Sequence, residues 1–183
     1  MLKSNNLTLL TPSKDTYEPL RKIRPCDEFY RMVGSDPEDS LFINDEKFNK
    51  SFSESLNREN YWHVFKGVDV IGVAFLHSID TVDQRARYAV GIYNEENWSK
   101  GYGCEITQCV LEYAFNTLKL HKIDLKVLEY NKRAIASYKN NGFVQEGILR
   151  ENAFINNTWH NDIIMSILHH EFRSKKQSKS GKD

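Results

Sequence analysis

The stretch 97–105, which reads Asn-Trp-Ser-Lys-Gly-Tyr-Gly-Cys-Glu, constrains the fold of this chain more than any other feature. It follows a β-rich run at 87–93 and precedes a run of helical periodicity at 105–118. Gly101 and Gly103 let the backbone bend tightly there and approach a ligand closely. The N–H groups of a first helical turn, with the helix dipole, favour an anion at that end. The junction therefore predicts either a phosphate-binding turn or a tight turn without a ligand.

The apolar pattern of the whole chain predicts an α/β domain with a single mixed sheet of about seven strands. A first strand and several helices precede three antiparallel strands, and a helix then crosses over to a parallel strand, a short helix and a final hairpin. The predicted strands are 7–10, 62–66, 70–77, 87–93, 122–130, 143–155 and 159–168. The predicted helices are 27–33, 44–58, 105–118, 132–140 and a first one, ending near 23, that Ser13 or Asp15 could cap.

Length and charge suggest one domain with a basic tail. The 183 residues suit a single domain, which we place at 1–172. The last segment, 173–183, holds five basic residues and one acidic residue with no apolar residue. We expect this tail to be disordered.

Composition argues against several classes of partner. Twenty-five basic and twenty-five acidic residues balance, so we expect neither nucleic acid nor membrane as a partner. The chain has neither an apolar run of about 18 residues nor a signal-peptide core at its start. Cys26, Cys104 and Cys109 lack metal-ligand spacing, and we interpret them as free thiols in the cytoplasm, with no metal.

Besides the basic tail, one internal segment departs from this neutral balance. Residues 36–59 hold seven acidic and three basic residues. They could attract a cationic amine, or they could form an ordinary solvated helix face.

Two motifs in the second half resemble the GCN5-related N-acetyltransferase (GNAT) family. The family signature Arg/Gln-x-x-Gly-x-Gly/Ala is similar to 98–103, with Trp98 where Arg or Gln is usual. An independent block, 131–143, resembles Asn-x-x-Ala-x-x-x-Tyr-x-x-x-Gly-Phe at every named position. Segments 146–151 and 156–162 resemble the RimJ/RimL-type branch, and also bacterial spermidine acetyltransferases and amino-sugar acetyltransferases. The resemblance is good over 62–168.

The resemblance implies the GNAT fold, in which the fourth and fifth strands, 87–93 and 122–130, splay into a V that holds acetyl-CoA. Backbone groups near Ile92 and Tyr93 would bind the pantetheine, and backbone N–H groups of 99–104 would hold the pyrophosphate. Trp98 lacks the amide or guanidinium of the usual residue, so one side-chain contact to phosphate is missing. Asn131 would contact the cofactor arm or cap its helix. The implied cofactor residues are Ile92, Tyr93, Trp98, Ser99, Lys100, Gly101, Tyr102, Gly103, Cys104 and Asn131.

The same resemblance implies a catalytic role for Tyr138. A phenol stays protonated at neutral pH and can donate a proton to the departing thiolate. The alternative is a tyrosine that packs beneath Gly142 and Phe143. A backbone N–H of the splayed strand would stabilise the oxyanion.

The general base is left open. Strand 87–93 has no acidic residue. Glu95, Glu96 and Glu129 lie nearby in sequence, yet each is also explained as an ordinary surface residue. A water chain, or no dedicated base, is a further alternative.

We therefore expect an acetyl-CoA-dependent N-acetyltransferase in which a primary amine attacks the thioester directly. The preferred acceptor is a protein N-terminal amine, as in the RimJ/RimL branch, with a polyamine or an amino sugar as alternatives. A homodimer is possible, since relatives are often dimeric. From another class, a non-catalytic acyl-CoA-binding module is the main alternative. A dinucleotide-binding oxidoreductase is disfavoured because Ile106 occupies the place of the third glycine.

Overall fold

The strands of this protein form one eight-stranded sheet in the part of the chain that the computed structural model describes. The described residues are 1–40, 42 and 44–172. The strands are β1 (Leu2–Lys3), β2 (Thr8–Leu10), β3 (Tyr61–Lys66), β4 (Asp69–Asp80), β5 (Arg85–Ile92), β6 (Lys122–Leu128), β7 (Val144–Ile155) and β8 (Thr158–Leu168). They lie side by side in the order β1-β2-β3-β4-β5-β6-β8-β7. Every neighbouring pair is antiparallel except β5 and β6. The mixed sheet is confirmed, and the strand beyond the predicted seven is β1, whose two residues are too few to show a β-pattern.

Five α-helices flank this sheet within the described residues. They are α1 (Lys14–Tyr17), α2 (Asp27–Val33), α3 (Asp45–Ser55), α4 (Tyr102–Asn116) and α5 (Lys132–Asn141). The predicted first helix is divided, because the chain continues after α1 as a 3₁₀-helix with Pro19 in its first turn. Of the two predicted caps, Ser13 is the one observed, and its hydroxyl accepts a hydrogen bond from the Thr16 N–H at 3.3 Å.

The helices cover opposite faces of the sheet. Ile106 and Val110 of α4 pack with Trp62 and Val64 of β3 in the larger core. A second core on the other face joins the N-terminal helices to alternate strand residues. Its buried members are Tyr17, Leu20, Phe48, Phe65, Val70 and Tyr93. The middle of the sheet is therefore covered on both sides.

The parallel strands β5 and β6 separate along their length. Their register begins at Arg85 and Lys122 and ends at Arg87 and Asp124. At that last paired position the Arg87 Nε and the Asp124 Oδ1 form an ion pair at 2.5 Å. Beyond it the two strands no longer pair, which confirms the predicted V.

Helix α4 begins at Tyr102, three residues before the predicted start. Gly101 is the N-cap of this helix and takes a left-handed backbone conformation, with φ of 84°. The loop therefore ends at Gly101. After β6, helix α5 stops at the predicted glycine, since Gly142 is its C-cap and has a left-handed conformation.

Some sequence-based predictions concern the chain ends and the cysteines. The tail predicted to be disordered, 173–183, lies outside the described residues. Across the part that the structure describes, none of the helices has the length and apolar character needed to span a bilayer. Cys26, Cys104 and Cys109 are free thiols.

Candidate active site

A cavity of about 510 Å³ fills the V and passes through the sheet. Because Ile123, Leu125 and Val127 of β6 pack toward α4, the alternating Lys126 and Leu128 project to the opposite face. The face that carries α4 and α5 forms the loop half of the cavity, which includes Trp98, Gly101, Gly103, Cys104, Arg133 and Tyr138. The other face forms the α2 half, which comprises Phe29, Met32, Val33, Lys126, Leu128 and Asp162. Two reactants can therefore approach each other through the sheet.

The glycine loop presents unpaired backbone donors at the start of α4. The first helical N–H groups, those of Tyr102, Gly103 and Cys104, have no acceptor within the helix. Gly101 offers no capping side chain, and its carbonyl accepts the next N–H, that of Glu105, at 3.1 Å. This end of α4 borders the cavity and suits an anionic group.

Trp98 anchors the loop and supports a cation. Its indole Nε1 donates a hydrogen bond to the Ile92 carbonyl at 2.8 Å. The guanidinium carbon of Arg133, on α5, lies 3.8 Å from the centre of the indole ring. Both side chains line the cavity. Sequence reasoning missed Arg133, whose only signal was a basic residue two positions after Asn131.

Tyr138 lies on α5 at the boundary between the core and the cavity. It is 7% exposed, and its ring packs on Phe143 and Tyr88 with centroid distances of 5.7 and 6.4 Å. It also lines the cavity. Tyr138 therefore packs on its neighbours in the core, as the alternative interpretation expects, and also borders the candidate site. Burial raises the pKa of the Tyr138 phenol well above its ordinary value. The side chain is therefore a proton donor, not a base, at physiological pH.

Seven of the ten predicted cofactor residues line the cavity, and three do not. Tyr93 is buried in the second core against Phe29, and its N–H donates to the Ile71 carbonyl at 3.0 Å. The Lys100 side chain is exposed and does not line the cavity. Tyr102 packs on the larger core. The seven that line it are Ile92, Trp98, Ser99, Gly101, Gly103, Cys104 and Asn131.

Asn131 has the capping role that was one of its two predicted roles. Its side-chain oxygen accepts a hydrogen bond from the Ala134 N–H at 3.1 Å at the start of α5. Its side-chain nitrogen donates to the Met32 carbonyl at 3.2 Å. Asn131 therefore fastens α2 to α5 across the mouth of the V.

The three glutamates considered as bases do not line the cavity. Glu95 and Glu96 are exposed in a 3₁₀-helix after β5. Glu129 accepts hydrogen bonds from the backbone and side-chain nitrogens of Asn161, at 3.1 and 2.8 Å. These hydrogen bonds lower the pKa of Glu129 and favour a structural role for its carboxylate.

A carboxylate that sequence reasoning missed does line the cavity. Asp162 of β8 is 9% exposed and lies opposite Leu128 in the register with β6. Its Oδ2 accepts a hydrogen bond from the Asn152 Nδ2 at 2.7 Å. Asp162 ends the segment 156–162 that resembles the family branches, but that resemblance gives no indication of the strand beside it or of its place in the cavity.

Metal ligands do not cluster in the described part of the chain. Across residues 1–40, 42 and 44–172, no group of three or more His, Cys, Asp or Glu side chains could hold a metal ion.

Sequence comparisons agree with this geometry. The sequence model of the family described as acetyltransferase (GNAT) domain matches residues 6–144. The provisionally named N-acetyltransferase YjcK of Bacillus subtilis is 28% identical over 167 residues, which cover 89% of this chain and 86% of that protein. The spermidine N(1)-acetyltransferase of Vibrio cholerae is 32% identical over 109 residues, 60% of this chain and 62% of that enzyme. YdaF of Bacillus subtilis, provisionally named a ribosomal N-acetyltransferase, is 27% identical over 57% of each chain.

Solved structures share the fold. A Vibrio cholerae spermidine N-acetyltransferase, crystallised with CoA and spermine, superposes with a TM-score of 0.79 over 93% of this chain and 99% of that one, at 24% identity. A GCN5-related N-acetyltransferase from Brucella melitensis has a TM-score of 0.79 at 13% identity, over 98% and 83% of the two chains. The expected sheet with a central V is confirmed.

Proposed function

Because this chain belongs to the acetyltransferase (GNAT) family and is an N-acetyltransferase, we propose that it transfers the acetyl group of acetyl-CoA to a primary amine within the V. One observation carries the proposal. The same cavity touches the free N–H groups at the start of α4, the phenol of Tyr138 and, through the sheet, the α2 half. A thioester entering over α4 and an amine entering beside α2 therefore meet between β5 and β6.

The loop half would hold the cofactor mainly through backbone groups. The N–H groups of Tyr102, Gly103 and Cys104, with the dipole of α4, provide an anion site for the pyrophosphate. Arg133 would supply the side-chain cation that Trp98 lacks, because the indole ring holds the guanidinium beside this site. Beyond Arg87, the edge of β5 that no longer pairs with β6 offers backbone hydrogen-bonding groups to an extended pantetheine chain.

The chemistry needs a neutral amine, an oxyanion donor and a proton for the thiolate. The amine nitrogen attacks the thioester carbon, and a backbone N–H of β5 stabilises the oxyanion that forms. When the carbon–sulfur bond breaks, the Tyr138 phenol protonates the leaving thiolate. The nitrogen loses one proton as the amide forms, and that proton returns to the phenolate through solvent.

For the acceptor we favour a polyamine over the protein N-terminus that the sequence motifs suggested. The similarity to spermidine acetyltransferases supports this choice. Six acidic residues between 36 and 59 have side chains that the structure describes as exposed, and they would attract a polycation, although Asp45 already pairs with Arg21 at 2.7 Å and Glu54 with Arg58 at 3.6 Å. A protein N-terminal amine is the second candidate, supported by the similarity to YdaF.

Two further expectations stay predictions. They are a homodimer and a cytoplasmic location, the second of which rests on the free thiols.

The test is to measure thiol release from acetyl-CoA by the purified protein with spermidine, N-terminal peptides and amino sugars. Spermidine should give the highest kcat/KM, and mass spectrometry should find a single acetyl group on a nitrogen. Thiol release only with peptides would transfer the proposal to the second candidate. No amine-dependent release with any acceptor would support the non-catalytic acyl-CoA-binding alternative.

A further inference from the structure

Asp162 is a buried carboxylate in the α2 half of the cavity, the half opposite the glycine loop. Its hydrogen-bond donor is the neutral amide of Asn152. Among the described residues no Lys, Arg or His nitrogen lies within 4.0 Å of it. Lys126 lines the same half without an ion pair to Asp162, and Arg87 is held by Asp124 instead.

A buried carboxylate that is not paired with a cation carries a desolvation cost, and a cationic ligand would offset it. Apart from Lys126, the side chains that line this half with Asp162 are apolar, since Phe29, Met32 and Leu128 lie there. An alkyl chain that ends in an ammonium group matches both features. A neutral sugar or an acidic peptide would match neither.

Resting on the proposed function, we infer that the Asp162 carboxylate binds a protonated amine of the acceptor. The attacking nitrogen must be neutral, so the ammonium group at Asp162 is a second nitrogen of the same molecule. The structure therefore assigns to Asp162 a preference for acceptors with at least two amines. This residue selects the substrate, and Tyr138 performs the proton transfer.

The experiment compares spermidine with propylamine, which has one amine, in the wild-type enzyme and in Asp162→Asn. Asparagine keeps an oxygen acceptor for Asn152 but removes the charge. We expect kcat/KM for spermidine to fall by roughly 10- to 100-fold, mainly through KM, as for the loss of a hydrogen bond to a charged group. Turnover of propylamine and KM for acetyl-CoA should change by less than about 3-fold, because neither molecule contacts Asp162 and distant substitutions have only small effects.

Glu151→Gln is the matched control, because Glu151 is an exposed carboxylate on the same hairpin that does not line the cavity. An equal effect of Asp162→Asn on both amines, or no effect on spermidine, overturns the inference. If Asp162→Asn loses all activity, the same comparison of spermidine with propylamine is made with Asp162→Glu, which keeps the charge. Recovery of the spermidine preference then supports the inference, and its absence overturns it.

A binding measurement tests the role of Asp162 even if the proposed function is wrong. If the wild-type enzyme acetylates no amine, calorimetry with spermidine alone still tests Asp162. Binding that is lost in Asp162→Asn and kept in Glu151→Gln supports the inference. Equal binding by both variants, or no binding by the wild-type protein, overturns it.

Discussion

The guanidinium of Arg133 stacks on the indole of Trp98, 3.8 Å from the ring centre, while the same indole donates a hydrogen bond to the Ile92 carbonyl. One side chain thus connects the end of β5, the glycine loop and α5. The family's usual Arg or Gln at this position could itself reach a phosphate. Here a neutral ring holds the guanidinium of Arg133, and the proposed role of that guanidinium is to replace the missing side-chain contact to phosphate.

Arg133→Ala should weaken acetyl-CoA binding by about 5- to 30-fold, which corresponds to about 1–2 kcal/mol for one charge-assisted contact. The affinity of Arg133→Lys for acetyl-CoA should lie between those of the wild-type protein and Arg133→Ala, because lysine keeps the charge but cannot form the planar stack. Calorimetric titration with acetyl-CoA measures both. Lys139→Ala, the loss of an exposed cation from the same helix, is the control. Wild-type affinity in Arg133→Ala would contradict the role in cofactor binding.

Tyr138→Phe should lower kcat by roughly 10²- to 10⁴-fold with little change in KM for acetyl-CoA, since the ring and its packing remain. Because burial raises the pKa of the phenol, its protonated form should persist through the alkaline range. The pH–rate profile should therefore show no loss of activity from phenol ionisation up to about pH 10.

Tyr113→Phe controls for the removal of a tyrosine hydroxyl, because its phenol donates to Asn60 away from the cavity. It should leave kcat unchanged. An unaltered kcat in Tyr138→Phe would eliminate the phenol as the proton donor.

Gly101 and Gly67 form a natural pair for testing the glycine loop. Both have left-handed backbones, with φ of 84° and 61°, and an added Cβ would meet nothing within 4 Å at either position. Valine at each should cost a similar strain of about 1–2 kcal/mol, measured by urea denaturation. Only Gly101→Val should also raise the Kd for acetyl-CoA, because Gly101 starts the anion site. Equal acetyl-CoA affinity in the two variants would refute the backbone cradle.

Local chemistry made much of this fold predictable. The helix stop at Gly142 and the bend at Gly101 depend on backbone conformations that glycine adopts easily, so their residues predict them directly. Alternation of apolar residues predicted the long strands for the same local reason. The start of α4 is predicted too late because its first turn, from Tyr102, contains Gly103, a poor helix former, and no helical apolar pattern.

The parts of the site that sequence missed depend on contacts between distant elements. Arg133 matters because it lies over Trp98, thirty-five positions earlier. Asp162 reaches the cavity only because β8 inserts between β6 and β7 in the sheet. Neither contact between elements has a local pattern, so the sequence predicted more residues of the loop half of the cavity than of the α2 half.

The buried side chain of His63 should make the stability of the protein depend on pH. This side chain is fully buried, its Nδ1 lies 3.1 Å from the Thr16 hydroxyl, and its Nε2 has no hydrogen-bond partner. Burial lowers the pKa of His63 from 6.5 to about 4. Below about pH 6.5 the unfolded chain therefore binds a proton that the folded protein does not, and the free energy of unfolding falls until about pH 4.

This difference in pKa corresponds to about 3 kcal/mol at the acid end of that range. Urea denaturation at about pH 7, 5.5 and 4 should show the fall in the wild-type protein and a flatter dependence in His63→Leu, which has no group to protonate. His121→Gln replaces an exposed histidine and should keep the wild-type slope. The comparison uses slopes, so a general loss of stability from repacking beside Tyr17 does not affect it. Parallel curves for the wild-type protein and His63→Leu would show that the buried imidazole is not what makes this fold sensitive to acid.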